Sequence, residues 1–138
     1  MAKLLWALVC DDYKIESGKV SIFGEFSNFA ASQFPAVQSS FIVFTRWAIQ
    51  PGEQFQCDVR LVESSSNDFG VTTGKPTRDS PVIDTISTAS KANAFAETCT
   101  IAARFRNAYF PHPGQYSVEI LVDGSLVHMI ALPAIPEG

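Results

Sequence analysis

The sequence predicts an all-β fold, a sandwich of two antiparallel sheets. Three observations carry that prediction. Apolar and polar side chains alternate with a period of two along most of the chain, as half-buried strands require. Turn residues interrupt the alternation repeatedly, at Ser17–Gly18, Pro51–Gly52 and Asp123–Gly124. Phenylalanine, with 11 residues, dominates the aromatics, and flat bulky side chains suit the gap of about 10 Å between two packed sheets.

The first element expected is Leu4–Cys10. Leu4, Trp6, Leu8 and Cys10 fall on one face, with Leu5, Ala7 and Val9 on the other, the pattern of a central strand apolar on both sides. The competing reading is a leader with a lipid-bearing cysteine. Lys3 is the sole early charge, however, and Val9 stands where a lipoprotein signal carries a small residue. Asp11 ends the apolar run far short of the roughly 20 residues that a spanning helix needs. The expectation is therefore a strand in a cytoplasmic protein with no membrane partner. "DDYKIESGK" reads as the turn that follows, and Val20, Ile22, Gly24 and Phe26 as one face of a half-buried second strand.

Phe29 and Phe34 are expected to anchor an irregular crossing, with Pro35 stopping regular pairing. Ser40–Ile49 is rich in β-branched and aromatic residues and apolar on both faces, and Pro51–Gly52 closes it. In "QFQCDVRLVE" the residues Phe55, Cys57, Val59 and Leu61 point one way, with Gln54, Gln56, Asp58 and Arg60 opposite. Residues 64–80 form a long polar, glycine-bearing loop, with Phe69–Thr73 a candidate short edge strand. "PVIDTIST" resumes extended structure and "SKANAF" reads as another turn. Phe95, Glu97, Cys99, Ile101, Ala103 and Phe105 alternate with threonines and arginines, favouring a strand despite the alanines.

"QYSVEILVDG" sets Tyr116, Val118, Ile120 and Val122 on one face. Asp123–Gly124 is a hairpin signal, since a two-residue turn needs positive φ, and "SLVHMIALP" supplies the partner strand. Pro133 and Pro136 are expected to end the domain. Eight to ten strands without a helix or repeat point to a two-sheet antiparallel sandwich, immunoglobulin-like or jelly-roll-like, with a β-barrel as the alternative. Its 138 residues, 46% apolar and 17% charged, suit one folded domain over 1–138.

The segment Phe110–Tyr116, "FPHPGQY", resembles a strand entry common in sandwich domains. There a Pro-Gly turn sets a tyrosine at a sheet corner, its hydroxyl bonded to the preceding loop. Over the whole chain the pattern resembles a family of small bacterial β-sandwich proteins of unassigned function. The residues that carry it are "WALVCDDY", "GKVSIFGEF", "FPAV" at Phe34–Val37 and "FPHPGQYSVEILVDGSLV". These are mostly structural residues, so the resemblance implies a fold and transfers no catalytic or binding residue.

The chemistry visible in the sequence is sparse. A net charge of −4 with scattered basic residues opposes nucleic-acid binding, which needs a basic stripe along the phosphates. Cys10, Cys57 and Cys99 are widely spaced and form no metal-binding or redox motif. Cys57 and Cys99 lie in phase with core residues, and Asp11 and Asp12 suppress a thiolate at Cys10. Asp11, Asp12, Asn67, Asp68 and Asp79 form no calcium-loop pattern. His128 reads as a satisfied, half-buried imidazole, and His112 as a residue of an exposed turn. No cofactor and no enzymatic activity are expected. The aromatics least tied to core alternation, Trp47, Phe69, Tyr109 and Phe110, together with His112, are the candidate interaction surface. A protein partner or self-association is the leading expectation. A carbohydrate-binding module and a metal-assisted enzyme are the alternatives.

Overall fold

The computed structural model describes residues 2–63, 82–91 and 97–137 of the chain. Among them are ten strands: β1 (Lys3–Glu16), β2 (Lys19–Glu25), β3 (Phe29–Ala31), β4 (Ala36–Ala48), β5 (Gln54–Glu63), β6 (Val82–Lys91), β7 (Thr98–Phe110), β8 (Tyr116–Val122), β9 (Ser125–Ala131) and β10 (Ala134–Pro136). Two four-stranded antiparallel sheets, β2-β1-β4-β7 and β6-β5-β8-β9, face one another. Each sheet keeps its own edge strands, so the fold is a sandwich and the barrel alternative falls away.

The core between the sheets is built from the predicted alternation. Phe41, Val43, Trp47, Ile101, Ala103 and Phe105 from one sheet meet Phe55, Cys57, Val59, Leu61, Val118 and Ile120 from the other. Burial of these side chains supplies the main driving force, at about 25 cal/mol per Å² of apolar surface. Stacked rings at Phe41–Phe105, with centroids 5.0 Å apart, fill the layer where both strands of one sheet contribute a phenylalanine.

Three departures from strict alternation decide which side chains leave the core. The register of β1 on β4 shifts between Leu4 and Trp6, so Leu4 turns inward beside Ala7 and Val9 while Trp6 turns out. The expected face of Leu4, Trp6, Leu8 and Cys10 is therefore split. At Gly24, φ is +65, and Tyr13, Val20 and Ile22 join Cys10 on the outer side of the sheet. Asn107, with φ of 53, has the same effect in β7, so that Ala108 and Phe110 rejoin the core.

Other segments also differ from expectation. "DDYKIESGK" is largely strand, because β1 continues to Glu16 by pairing with β2. The turn shrinks to Ser17 and Gly18, both with positive φ, as a two-residue hairpin demands. Pro133 does not end the regular structure, whereas Pro136 is the last residue of the last strand. Ala134–Pro136 forms β10, which pairs in parallel with β3 and fixes the crossing at Phe29. His128 is exposed, not half-buried. The expected loop at 64–80, its candidate strand Phe69–Thr73 and most of the "SKANAF" turn lie outside the described residues.

Candidate functional site

The outer face of the β2-β1-β4-β7 sheet, turned away from the sandwich core, carries a second apolar cluster. Its rows follow from the strand register. Trp6 stands opposite Arg46 and Thr100, Leu8 opposite Phe44 and Ala102, and Cys10 opposite Ile42 and Arg104. Cys10, Ile42 and Phe44 are buried, and Leu8, Tyr13, Val20, Ile22 and Ala102 pack around them half-buried. Trp6 stacks on Phe44 with centroids 5.3 Å apart, and Tyr13 meets the same ring edge-on at 5.1 Å. Aromatic contacts of this kind add about 0.5–1.5 kcal/mol each beyond their buried area. Trp6 still leaves 42% of its surface open, and Ile15, toward the far end of β1, is exposed as well.

Two guanidinium groups stand on this face. Arg46 donates to the hydroxyl of Thr100 at 3.1 Å. Arg104 donates to Ser40 Oγ at 2.7 Å and to Asp12 at 3.1 Å. The Asp12 carboxyl is held below its ordinary range, first by the Tyr13 backbone N–H and then by Arg104. Burial, followed by the Asp11 and Asp12 charges, pushes the Cys10 thiol up. Cys57 is pushed up to about 12 by burial above all, with Asp58 adding to it, and burial likewise raises Cys99. A nucleophilic thiolate needs the opposite environment. The face offers apolar contact and hydrogen-bond donors.

The sequence-predicted surface residues are not brought together. Trp47 is 0% exposed, its indole donating to Thr45 Oγ1 at 2.7 Å beneath the β4–β7 pair. Phe110 is also 0% exposed, stacked on Phe29 and edge-on to Tyr116. Both are therefore corrected from surface to core, Trp47 by its phase with Phe41 and Val43, and Phe110 by the turn of the backbone at Asn107. Tyr109 is exposed at 48% and His112 lies on the surface corner. Phe69 lies outside the described residues. Sequence reasoning missed Trp6, Leu8, Tyr13 and Phe44 as a group. Their signal was present in two strands, Leu4–Cys10 and Ser40–Ile49, each apolar on both faces, and adjacency in one sheet turns that signal into a patch.

The Pro-Gly corner has the expected geometry and one unexpected partner. The Tyr116 hydroxyl donates to the His112 carbonyl at 2.7 Å. The His112 ring contacts the Glu63 carboxylate through Nε2 and the Pro113 carbonyl through Nδ1 at 3.0 Å. On the other sheet, the fully buried Glu119 pairs with Arg60 directly across β8 and β5. Among the described residues, no group of three or more His, Cys, Asp and Glu stands close enough to hold a metal ion. No helix among them is long and apolar enough to cross a membrane.

Comparison with solved structures finds an immunoglobulin-like protein from Pseudomonas aeruginosa. It is 10% identical, with 97% of this chain and 96% of that chain covered and a TM-score of 0.42. Comparison with curated protein sequences finds no match. A family model described as "Family of unknown function (DUF6941)" matches residues 5–135, from within β1 to within β10. The chain belongs to this family of unknown function.

Proposed function

We propose that the chain is a non-enzymatic protein-interaction module whose contact surface is the outer face of the β2-β1-β4-β7 sheet. The observation that supports this reading is the apolar band on that face, with Trp6 open above the buried Cys10, Ile42 and Phe44. Grouped apolar residues on a solvent-facing sheet surface mark contact sites more often than isolated ones do. Tryptophan and arginine are the residue types that contribute most where proteins meet, and here Trp6 and Arg46 face each other across two paired strands. The three thiols are free, in keeping with work in a reducing compartment such as the cytoplasm. The sugar-binding alternative needs coplanar exposed aromatics, and Trp47 and Phe110, both buried, do not supply them.

The test combines light scattering with affinity co-purification, comparing wild type with Trp6→Asp and Leu8→Asp. Self-assembly appears as a mass that is a multiple of 15.0 kDa and that falls to the monomer in either variant. A different partner appears as a co-purifying protein, reconstituted from purified components, that both variants lose while keeping the wild-type circular dichroism. A strictly monomeric wild type whose set of bound proteins is unchanged by both substitutions refutes the reading.

A further inference from the structure

We propose that His112 is a pH-dependent latch, whose doubly protonated ring ties the Pro111–Gly114 corner to the end of β5 through Glu63 and releases it on losing a proton. Both ring nitrogens face acceptors, an arrangement that only a doubly protonated ring satisfies in full. Nδ1 lies 3.0 Å from the Pro113 carbonyl oxygen, and Nε2 contacts a Glu63 carboxylate oxygen. A carbonyl and an ionised carboxylate accept hydrogen bonds and donate none, so each ring nitrogen must carry a hydrogen, and that ring is an imidazolium. A neutral imidazole would turn a lone pair toward one of the two oxygens. With 54% of its side chain open to solvent, His112 exchanges protons freely with the medium.

The corner is a junction, which is what makes a tie there consequential. Glu63 is the last residue of β5 and stands opposite Tyr116, the first of β8. The Tyr116 hydroxyl holds the His112 carbonyl. Gly114, two residues on, exchanges two backbone hydrogen bonds of 2.9 Å with Ala134, where β10 begins its pairing with β3. The titratable groups facing the ring are thus Glu63 from β5 and Tyr116 from β8, with Tyr109 of β7 in electrostatic reach of Tyr116.

The direction of the pH dependence follows. The Pro113 carbonyl foremost raises the His112 midpoint; desolvation, next in size, opposes it, and the charge and hydrogen bond of Glu63 add smaller upward contributions, the net direction being upward. A histidine whose folded midpoint is raised contributes stability that is fully present below its unfolded value of about 6.5 and is lost as pH climbs through the folded midpoint. The latch is closed below the raised midpoint and opens above it.

Nuclear magnetic resonance of the full chain tests this directly, because the sequence has two histidines and His128→Gln assigns both ring signals. The His112 ring should titrate with a midpoint above about 6.5, with both nitrogens protonated below it, and Glu63→Gln should lower that midpoint. The protection of the Gly114 and Ala134 amides, corrected for intrinsic exchange, should fall several-fold as pH passes through the midpoint. In Glu63→Gln that protection should be low at every pH. Should the substituted chain fail to fold, the wild-type ring titration and amide protection decide the matter alone. A midpoint at or below about 6.5, or amide protection that is flat across it, overturns the proposal.

Discussion

Replacing Thr45 by valine should cost about 2 kcal/mol, although the shape of the side chain is kept. The Thr45 hydroxyl accepts from the Trp47 indole at 2.7 Å and donates to the Ile101 carbonyl at 2.7 Å, in a buried position between β4 and β7. Valine removes both bonds and leaves the indole N–H without its acceptor, a penalty of about 1–3 kcal/mol, from which the added methyl returns up to about 0.8 kcal/mol. With a urea dependence of about 2 kcal/mol per M, the unfolding midpoint should fall by about 1 M. Circular dichroism measures it, and a Trp6→Phe background lets fluorescence report Trp47 by itself, since the chain has two tryptophans. Trp47→Phe alone should cost about 2–3 kcal/mol through the cavity it leaves. Combined with Thr45→Val, it should cost about 1 kcal/mol less than the sum, because no donor is then orphaned. A midpoint shift below about 0.3 M for Thr45→Val, or additivity within about 0.3 kcal/mol, would refute this account of the pair.

Two further outcomes are expected. Native protein at pH 8 should show no fast-reacting thiol toward Ellman's reagent, with Cys57 the slowest because burial pushes it up to about 12, whereas all three should react in denaturant; a thiol labelled within seconds in the folded state contradicts the burial argument. Gly124→Ala should cost about 1–2 kcal/mol in urea unfolding, since φ is +86 while a Cβ would meet nothing within 4 Å, leaving backbone conformation as the whole effect; an unchanged midpoint would mean that the turn does not need a left-handed residue.

Most of the sandwich was legible because alternation and turn chemistry are local. Phe55 to Leu61 and Tyr116 to Val122 went inward as their period dictated, and Asp123–Gly124 formed the hairpin its positive φ values require. The Tyr116 corner was legible for the same reason, its hydroxyl bonding the carbonyl four residues back. Phase was illegible wherever a backbone irregularity reverses it. Asparagine tolerates the left-handed region but does not require it, so "RFRNAYF" leaves the reversal at Asn107 undecided, and Phe110 read as a surface residue while it fills the core. Pairings between distant segments were hidden as well. The parallel contact of β3 with β10, and the approach of Glu63 to His112, depend on where the sheets set their ends. The outer face was half legible: each strand showed two apolar faces, but only their adjacency reveals a shared patch.

The wiring of β4 has a consequence for how the chain reaches this fold. β4 finds β7 across a long stretch of intervening sequence, with Ser40 and Arg104 bonded 64 residues apart. Closing such a loop loses chain entropy before any strand–strand contact repays it, by about 0.6 kcal/mol more for each doubling of length. The β1–β2 and β8–β9 hairpins close over two residues each and carry no such delay. The ribbons at Ser17–Gly18 and Asp123–Gly124 can therefore assemble locally, while the central β4–β7 seam waits on a rare encounter. A topology of this kind places the chain among slow folders, its long-range seams, β4–β7 with β5–β8 and β3–β10, depending on closures that the local hairpins do not need.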